Sequence, residues 1–510
     1  MSVSKFFKAY DLRGTTPELT REVYFWSGFA LISEILTPQN LPLKVVVMRD
    51  CRLSSPQFYE AFIAGIKSAG GQTVNLGIGT TDTLYAASIY LDLPGAIITA
   101  SHNPKDDNGL KIVKEIPQMR GLSTGLDKIR DFVAFKMENE KTQIDWQEID
   151  TTENQKIKNE VMDFFVTKIK QIGQTEKTLK NLNRLKNEKE FGKLKIVVDT
   201  ANGMGGFILP YLQEIYGESV EFVPLFWELD GSFPNHPADP MSESNLQTLK
   251  ETVLATKADF GIAMDGDADR AFFVDEMGNL VNGGYIVPLF AENLLQEYFQ
   301  KTNQNEQNSK EQNSNNSNSI SNESKLEPAV VYPISYSRNT GETVLENGGV
   351  PIISLQGHTF IKQKMEKFRA IYGGEASGHH YFGEFGFMDS GAITIALFIK
   401  IWTEKNIEKP TPASQICQFW SQKYFVSGEH NFLLQEGLTM PKIKEIIHQN
   451  FPKTDFRISE LDGVTVYNLN YKFTIRGSNT EPLLRINVES KNEDKAMKIL
   501  EEIKTLLGIK

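Results

Sequence analysis

The chain has 510 residues and a mass of 57.5 kDa, with 40% hydrophobic and 23% charged residues, which excludes a mostly disordered chain and a polytopic membrane protein. Lys and Arg number 54 against 65 Asp and Glu, and the net charge of −11 repels nucleic acid and anionic membrane on average while leaving room for a small anionic ligand in a locally basic cleft. Two cysteines, Cys51 and Cys417, cannot form a disulfide framework or a Cys-rich zinc site and are expected to be buried thiols.

At ~150 residues per domain the length predicts three to four domains. No signal-peptide core is present and no run approaches ~20 apolar residues, so a cytoplasmic protein without a membrane span is expected. In chain order, Lys44 to Met48 reads as a short apolar strand. Ser54-Ser55-Pro56 then opens a helix, with hydroxyls at the N-cap and Pro at N1, that runs to about Ala69 and stops at Gly70-Gly71. The polar stretch from about Glu138 to Asn159 reads as a connection between the first two domains, helical in part. The strand-then-helix grammar returns at Leu194 to Val198, with a helix through about Ile215, and again at Ala329 to Tyr332. Short apolar strands alternating with helices predict βα units and mostly parallel sheets, and three recurrences predict three related α/β domains.

The stretch Tyr285 to Phe299 is helical in pattern. Of the 22 residues from Asn303 to Ser324, 17 are Asn, Gln or Ser, too few apolar groups to offset ordering entropy, so a disordered surface loop is expected there. Beyond about residue 425, Arg457 to Ile475 reads as short strands and Glu493 to Leu507 as an amphipathic helix, a smaller α+β domain.

Four segments carry chemistry. Asp265-Gly-Asp-Ala-Asp-Arg270 follows the strand-like run Asp259 to Met264. Its three carboxylates alternate, and in an extended segment alternate side chains share a side, so three hard oxygen ligands suited to Mg²⁺ converge. Thr99-Ala-Ser-His-Asn-Pro104 follows the apolar run from Gly95 and presents the Ser101 hydroxyl on a loop beside His102; no Gly-x-Ser-x-Gly elbow supports a Ser hydrolase. Gly373-Gly-Glu-Ala-Ser-Gly-His-His380, after a strand-like run Phe368 to Tyr372, offers Glu375, Ser377 and His379, the mixed donors and acceptors that sugar hydroxyls need. Arg476-Gly-Ser-Asn-Thr-Glu-Pro482 combines Arg, Ser, Asn and Thr around a Gly, a phosphate cradle that is not a P-loop.

Together with Lys8-Ala-Tyr-Asp-Leu-Arg-Gly14, these segments resemble the α-D-phosphohexomutase family, of the phosphomannomutase/phosphoglucomutase type, over the whole chain except the Asn/Gln/Ser insertion. The resemblance implies an α/β fold: three similar α/β domains with mixed, mostly parallel sheets plus a smaller C-terminal α+β domain, the four set around a central cleft. The expected domains are 1–150 with the phosphoserine loop, 160–264 ending at the metal loop, 265–415 with the sugar loop and the insertion at about 303–324, and 425–510 with the phosphate loop.

Carried over residue by residue, Ser101 resembles the phosphorylated serine, flanked by His102. Asp265, Asp267 and Asp269 resemble the Mg²⁺ ligands, the phosphoserine supplying a fourth oxygen. Lys111 matches a general acid/base, and Arg13 and Arg270 match active-site arginines. Glu375, Ser377 and His379 match the sugar loop, His358 a histidine facing the cleft, and Arg476, Ser478, Asn479 and Thr480 the phosphate loop. The implied reaction interconverts hexose 1-phosphate and hexose 6-phosphate, of mannose or glucose, through a phosphoserine and a hexose 1,6-bisphosphate that also serves as activator. The implied partner is a small phosphosugar, with no nucleic acid and no membrane, acting on a monomer or homodimer.

Two departures stand out. Many members have an Asp where the third-domain strand ends; here the segment is Tyr332-Pro-Ile-Ser-Tyr-Ser-Arg338, which leaves open whether Arg338 meets substrate. The sugar loop reads Glu-Ala-Ser, which tilts away from a phosphoglucosamine mutase and toward hexose substrates. The remaining alternatives are a Mg²⁺-dependent sugar phosphatase with an aspartate nucleophile, and a catalytically dead sugar-phosphate sensor, which would have lost Ser101 or one of the three aspartates.

Overall fold

Lys44–Arg49 is a run of Val and Met buried on both faces, the signature of an inner strand of a parallel sheet. In the computed structural model it lies between Gln72–Ile78 and Gly95–Ile98, parallel to both. The structure describes residues 3–8, 11–16, 18–115, 118–119, 125–139, 149–188, 192–312, 327–336, 338–435, 437–452, 454–477 and 483–509. The sheet continues antiparallel through Asp107–Glu115 to Leu12–Thr15. Helices Arg21–Ala30 and Ser55–Ser68 pack against each other at Gly28 and Gly65; a Cβ at Gly65 would fall 1.8 Å from the Phe25 carbonyl oxygen, so only glycine allows the approach.

The second helix ends as read, at Ser68, with the Gly71 amide donating to the Ile66 carbonyl and Gly70 at φ +83°. Its start differs. Neither Ser54 nor Ser55 caps the helix, because Asn108 donates to both hydroxyls and Ser55 donates to the buried Asp50.

A second sheet runs Ala271–Asp275, Phe260–Met264, Leu194–Asp199, Val220–Leu225, with only the first pair antiparallel. The boundary expected at residue 264 therefore falls inside a hairpin, Phe260–Met264 turning back through Ala271–Asp275. Within the polar connection, residues 155–159 open the helix Gln155–Ile172, residues 149–154 are not helical and 140–148 lie outside the described residues; a further helix, Thr175–Glu188, then precedes this sheet. Helix Gly391–Glu408 covers the same sheet, Phe398 stacking on Phe273 at 3.9 Å between ring centroids. These parts, with residues 377–379 and 384–416, make one compact unit, Met1–Val281 being its main body.

The second unit comprises Asn282–Ala376, His380–Gly383 and Cys417–Lys510. It holds Val350–Ser354, Ala329–Pro333 and Tyr372–Gly374 as parallel neighbours, with His380–Phe382 antiparallel on Tyr372–Gly374. Phe368, read as strand-like, instead ends helix His358–Phe368; Arg369 closes that helix at φ +48°, and the strand starts at Tyr372. Helix Gly283–Gln312 extends ten residues into the segment expected to be disordered; six of the ten are Gln, Glu or Lys, good helix formers that a preceding helix can carry on; residues 313–326 lie outside the described residues. The last domain is an antiparallel sheet, Arg457–Ser459, Val464–Tyr467, Tyr471–Gly477 and Leu483–Ser490 in order, extended by Phe425–Val426 and His430–Leu433. Helix Glu493–Leu507 lays Ala496, Ile499, Leu500, Ile503 and Leu507 onto it, each buried aliphatic side chain worth about 1.5–3 kcal/mol relative to exposure. Among the described residues no helix is long and apolar enough to cross a membrane.

Candidate active site

The hairpin Gly95–Ile98 to Asp107–Glu115 is the source of two candidate groups. Its loop carries Ser101, and Lys111 sits opposite Ile97 on the returning strand. Ser101 is buried at φ +53°, a left-handed conformation that costs a non-glycine residue strain and points to a fixed role for its side chain. Its hydroxyl donates to Asp265 Oδ2 at 2.9 Å and lies 3.3 Å from His102 Nδ1.

Asp265, Asp267 and Asp269 are buried, each with an oxygen within 4.8 Å of the others. Their convergence does not arise from extended alternation. Residues 266–268 form a turn with Ala268 at φ +63°, and the Ala268 amide donates to the Asp265 carbonyl. Gly266 brings this turn against the Ser101 carbonyl: a Cβ there would sit 2.2 Å from it.

Lys111 Nζ reaches Asp267 at 2.6 Å and Asp269 at 2.8 Å, and Thr81, at the start of helix Thr81–Leu91, donates to Asp267 at 2.5 Å. Burial would raise the Asp267 carboxyl, but Lys111 overrides it and holds the group below the usual carboxylate range. Burial pushes Asp265 up; Arg270 opposes the rise, while Asp269 and Asp267 add to it. Lys111 is pulled down by burial and more strongly raised by Asp267 and Asp269, so it is locked as the ammonium. Among the described residues neither Asp267 Oδ1 nor Asp269 Oδ1 accepts a hydrogen bond. Crowded, buried carboxylates with orphaned oxygens fit a hard divalent cation such as Mg²⁺.

Arg270 donates through Nε to Asp265 at 2.8 Å and through Nη2 to His102 Nδ1 at 2.5 Å. Burial, Arg270 and Arg13 together press the His102 imidazole well below its ordinary value, so His102 is a neutral acceptor and not a proton store. Arg13, on Leu12–Thr15, donates to Asp11 at 2.7 Å and to Asn103 of the serine loop at 2.6 Å. His379 pairs with Asp389 at 2.7 Å and lies 3.7 Å from Asp269; burial opposes protonation, yet Asp269 and Asp389 raise its imidazole overall. The first unit thus brings together Ser101, His102, Lys111, Arg13, Arg270, His379 and the three aspartates. Ser377, half-buried, belongs to the same unit.

In the second unit, Glu375 is buried and accepts from three protein donors. Gln356 Nε2 donates to it at 2.7 Å, the Gly357 amide at 3.0 Å and the Tyr381 hydroxyl at 2.5 Å. His358 is half-buried at the first position of its helix. Arg476, next to last on the strand Tyr471–Gly477, donates to Glu429 at 2.7 Å; Arg485, its cross-strand partner, reaches the same carboxylate at 3.2 Å. Ser478, Asn479 and Thr480 lie outside the described residues. Arg338 is engaged within this unit: its amide donates to Glu489, its guanidinium to the carbonyls of Asn468 and Leu469, and it lies over the Tyr424 ring at 4.7 Å.

Sequence reasoning missed Thr81, Asp389, Gln356, Tyr381, Glu429 and Arg485. Tyr381 and Arg485 stand beside quoted motifs, so their polarity was a usable signal; Thr81 and Glu429 carried none.

Four family models described as phosphoglucomutase/phosphomannomutase match the chain in order: alpha/beta/alpha domain I over residues 4–132, domain II over 167–278, domain III over 283–423 and the C-terminal domain over 431–506. The chain is 32% identical over 514 residues to a phosphomannomutase of Vibrio cholerae, with 98% of each chain covered. It is 31% identical over 491 residues to a phosphomannomutase/phosphoglucomutase of Pseudomonas syringae, covering 96% of this chain and 91% of that one. Its fold is similar to the crystal structure of a phosphoglucomutase/phosphomannomutase family protein from Burkholderia thailandensis, with TM-score 0.74 at 24% identity over 99% of this chain and 98% of that one.

Proposed function

The chain belongs to the phosphoglucomutase/phosphomannomutase family and is a phosphohexomutase, an isomerase; from that premise we propose that it acts through a phosphoserine at Ser101 and a hexose 1,6-bisphosphate, on both mannose and glucose phosphates. The observation that carries this reading is the Ser101 hydroxyl, strained, buried and 2.9 Å from the first of three clustered aspartates.

Asp265, Asp267 and Asp269 would hold Mg²⁺, with an oxygen of the Ser101 phosphate as a further ligand, and the ion would supply positive charge against the phosphoryl oxygens. The remaining work falls to side chains. Arg13, Arg270 and Lys111, all positive beside Ser101, stabilise the charge that spreads over the phosphoryl oxygens in a loose transition state. The Ser101 O–P bond breaks as the free sugar hydroxyl forms its own bond to phosphorus and releases its proton. Lys111, held as the ammonium by Asp267 and Asp269, supplies charge and not a proton; His379, kept basic by Asp269 and Asp389, suits taking the proton of the sugar hydroxyl, and that proton ends on the departing Ser101 oxygen. The bisphosphate then turns and returns its other phosphate to Ser101. Glu375, Ser377 and His358 take the sugar hydroxyls, and Arg476 with Ser478, Asn479 and Thr480 takes the phosphate that is not reacting.

Intact-mass analysis of the purified protein tests the reading. One added phosphate mapped to Ser101, and turnover of mannose and glucose 1-phosphates in a coupled assay, are expected. Steady release of inorganic phosphate with no phosphoserine would instead make the protein a sugar phosphatase, and a preference for glucosamine phosphate would make it a phosphoglucosamine mutase.

A further inference from the structure

We propose that Arg52, a residue outside every motif, is the positioning residue of the serine loop: its guanidinium sets where the Ser101 oxygen stands for phosphoryl transfer. The inference rests on the reading of Ser101 as phosphoryl carrier.

Arg52 lies in the turn between Lys44–Arg49 and Ser55–Ser68 and is 1% exposed. Its Nη2 donates to the carbonyls of Ser101 and Asn103, both at 2.7 Å. Its Nη1 donates to those of Pro104 at 2.6 Å and Asp107 at 2.9 Å. One planar fork thus gathers four carbonyls of a single loop, a task for which guanidinium has the donors and the fixed angles. A buried arginine serving only as an ion pair turns its paired nitrogens to a carboxylate. Here the carboxylate of Asp50 stands 3.2 Å from Nε and balances the charge from behind, while both terminal nitrogens serve the loop.

The guanidinium is itself held. The Phe233 ring lies over it, 5.1 Å from Cζ, and the neighbouring Gly231 presses on the turn so closely that a Cβ there would sit 2.5 Å from Arg52 Cα. The payload is Ser101 at φ +53°. A strained residue keeps its conformation only when its surroundings over-determine it. Ser101 is tied at its amide by Thr99 Oγ1, at 3.0 Å, and at its carbonyl by Arg52. Releasing the carbonyl frees the serine to relax, and the hydroxyl leaves its place beside Asp265.

The test compares kcat per phosphorylatable Ser101, counted by mass spectrometry after incubation with glucose 1,6-bisphosphate. Arg52→Lys keeps the charge but has three donors in a tetrahedral set; kcat should fall about a hundredfold with KM changed less than about threefold, the cost expected of a displacement near 1 Å. In Arg52→Ala, millimolar guanidinium should restore kcat at least about tenfold, and the same concentration of sodium or methylammonium should not. Phe233→Leu removes only the ring over the guanidinium and should lower kcat about threefold with KM unchanged, which keeps the inference testable if both Arg52 variants fail to fold. A purely structural arginine predicts the opposite pattern: less folded protein, a lower Tm, and wild-type kcat for each serine that takes up phosphate. That pattern in Arg52→Lys, or in Phe233→Leu where the Arg52 variants do not fold, overturns the inference. Absence of rescue in a folded Arg52→Ala overturns it too. Wild-type enzyme that never carries phosphate on Ser101 overturns the carrier reading and this inference with it, whereas a phosphorylated wild type with unaffected variants overturns this inference alone.

Discussion

Around Ser101 in the first unit, charge is concentrated and two buried carboxylate oxygens accept no hydrogen bond; around Glu375 and Arg476 in the second, both side chains already hold protein partners, although among the described residues Arg476 Nε donates to none. Asp267 and Asp269 each keep a buried oxygen without a hydrogen bond, beside an ammonium and two guanidinium groups. Glu375 is filled by Gln356, Gly357 and Tyr381, and Arg476 leans on Glu429. A group that must polarise a reacting bond has to be held out of balance, whereas a group that only binds can exchange a protein partner for a ligand at little net cost. The first arrangement suits chemistry and the second suits recognition, so substitutions in the two regions should separate in kcat and KM.

The sharpest way to break the contrast is Ser101→Ala. Turnover should fall by about 10⁴-fold or more, since the phosphoryl carrier itself is gone, while Tm stays close to wild type. Activity that persists in this variant would falsify the carrier assignment.

Next is Asp267→Asn, which removes the carboxylate nearest Lys111. We expect turnover to drop about 10²–10³-fold, weaker activation by Mg²⁺, and a loss of about 3 kcal/mol in stability from a buried ammonium left half-paired. Chelation of the wild type should abolish activity reversibly. Full activity after exhaustive chelation would remove the metal from the account.

In the second region, Glu375→Gln puts an amide where Gln356, Gly357 and Tyr381 all donate, so one donor faces another. KM should rise about tenfold and kcat change by less than about threefold. A collapse of kcat at constant KM would mean that Glu375 belongs with the chemistry, and the contrast between the regions would fail.

A gentler probe is substrate choice. Mannose and glucose phosphates differ at C2, and no residue of the sugar loop is recognisably placed to read that carbon. The ratio of kcat/KM should stay within about tenfold, with glucosamine phosphate the poorest of the three; a preference above about a hundredfold would reveal a buried polar group that reads C2.

The smallest effect concerns His236, which pairs with the buried Asp199 at 3.1 Å behind the site in the first unit. Burial opposes protonation, but Asp199 raises the imidazole above its ordinary value overall. The stabilisation is therefore complete below the unfolded value of about 6.5 and fades as pH rises through the folded one. The Tm advantage of wild type over His236→Asn should shrink from pH 5.5 to pH 8.5. An advantage that grows over that range would show that the pair is not held by charge.

The sequence by itself determined a good deal. The short, β-branched apolar run at Lys44 to Met48 read as a strand, and Glu493 to Leu507 as an amphipathic helix, because length, β-branching and the 3.6 period are local properties of the chain. The motifs named Ser101 and the three aspartates because strand-end loops rich in small and charged residues are recognisable without their surroundings. Other features were beyond that reach. The turn at 266–268 made the carboxylates converge, where extended alternation was expected. Ser54 and Ser55 lost their capping role to Asn108, some fifty residues away. Thr81 reaches Asp267 across 186 positions, and Arg52 gathers the serine loop's carbonyls from about fifty positions upstream. Local propensity fixes which elements form; which polar groups end up sharing one buried volume depends on how those elements pack, and only the tertiary structure decides that.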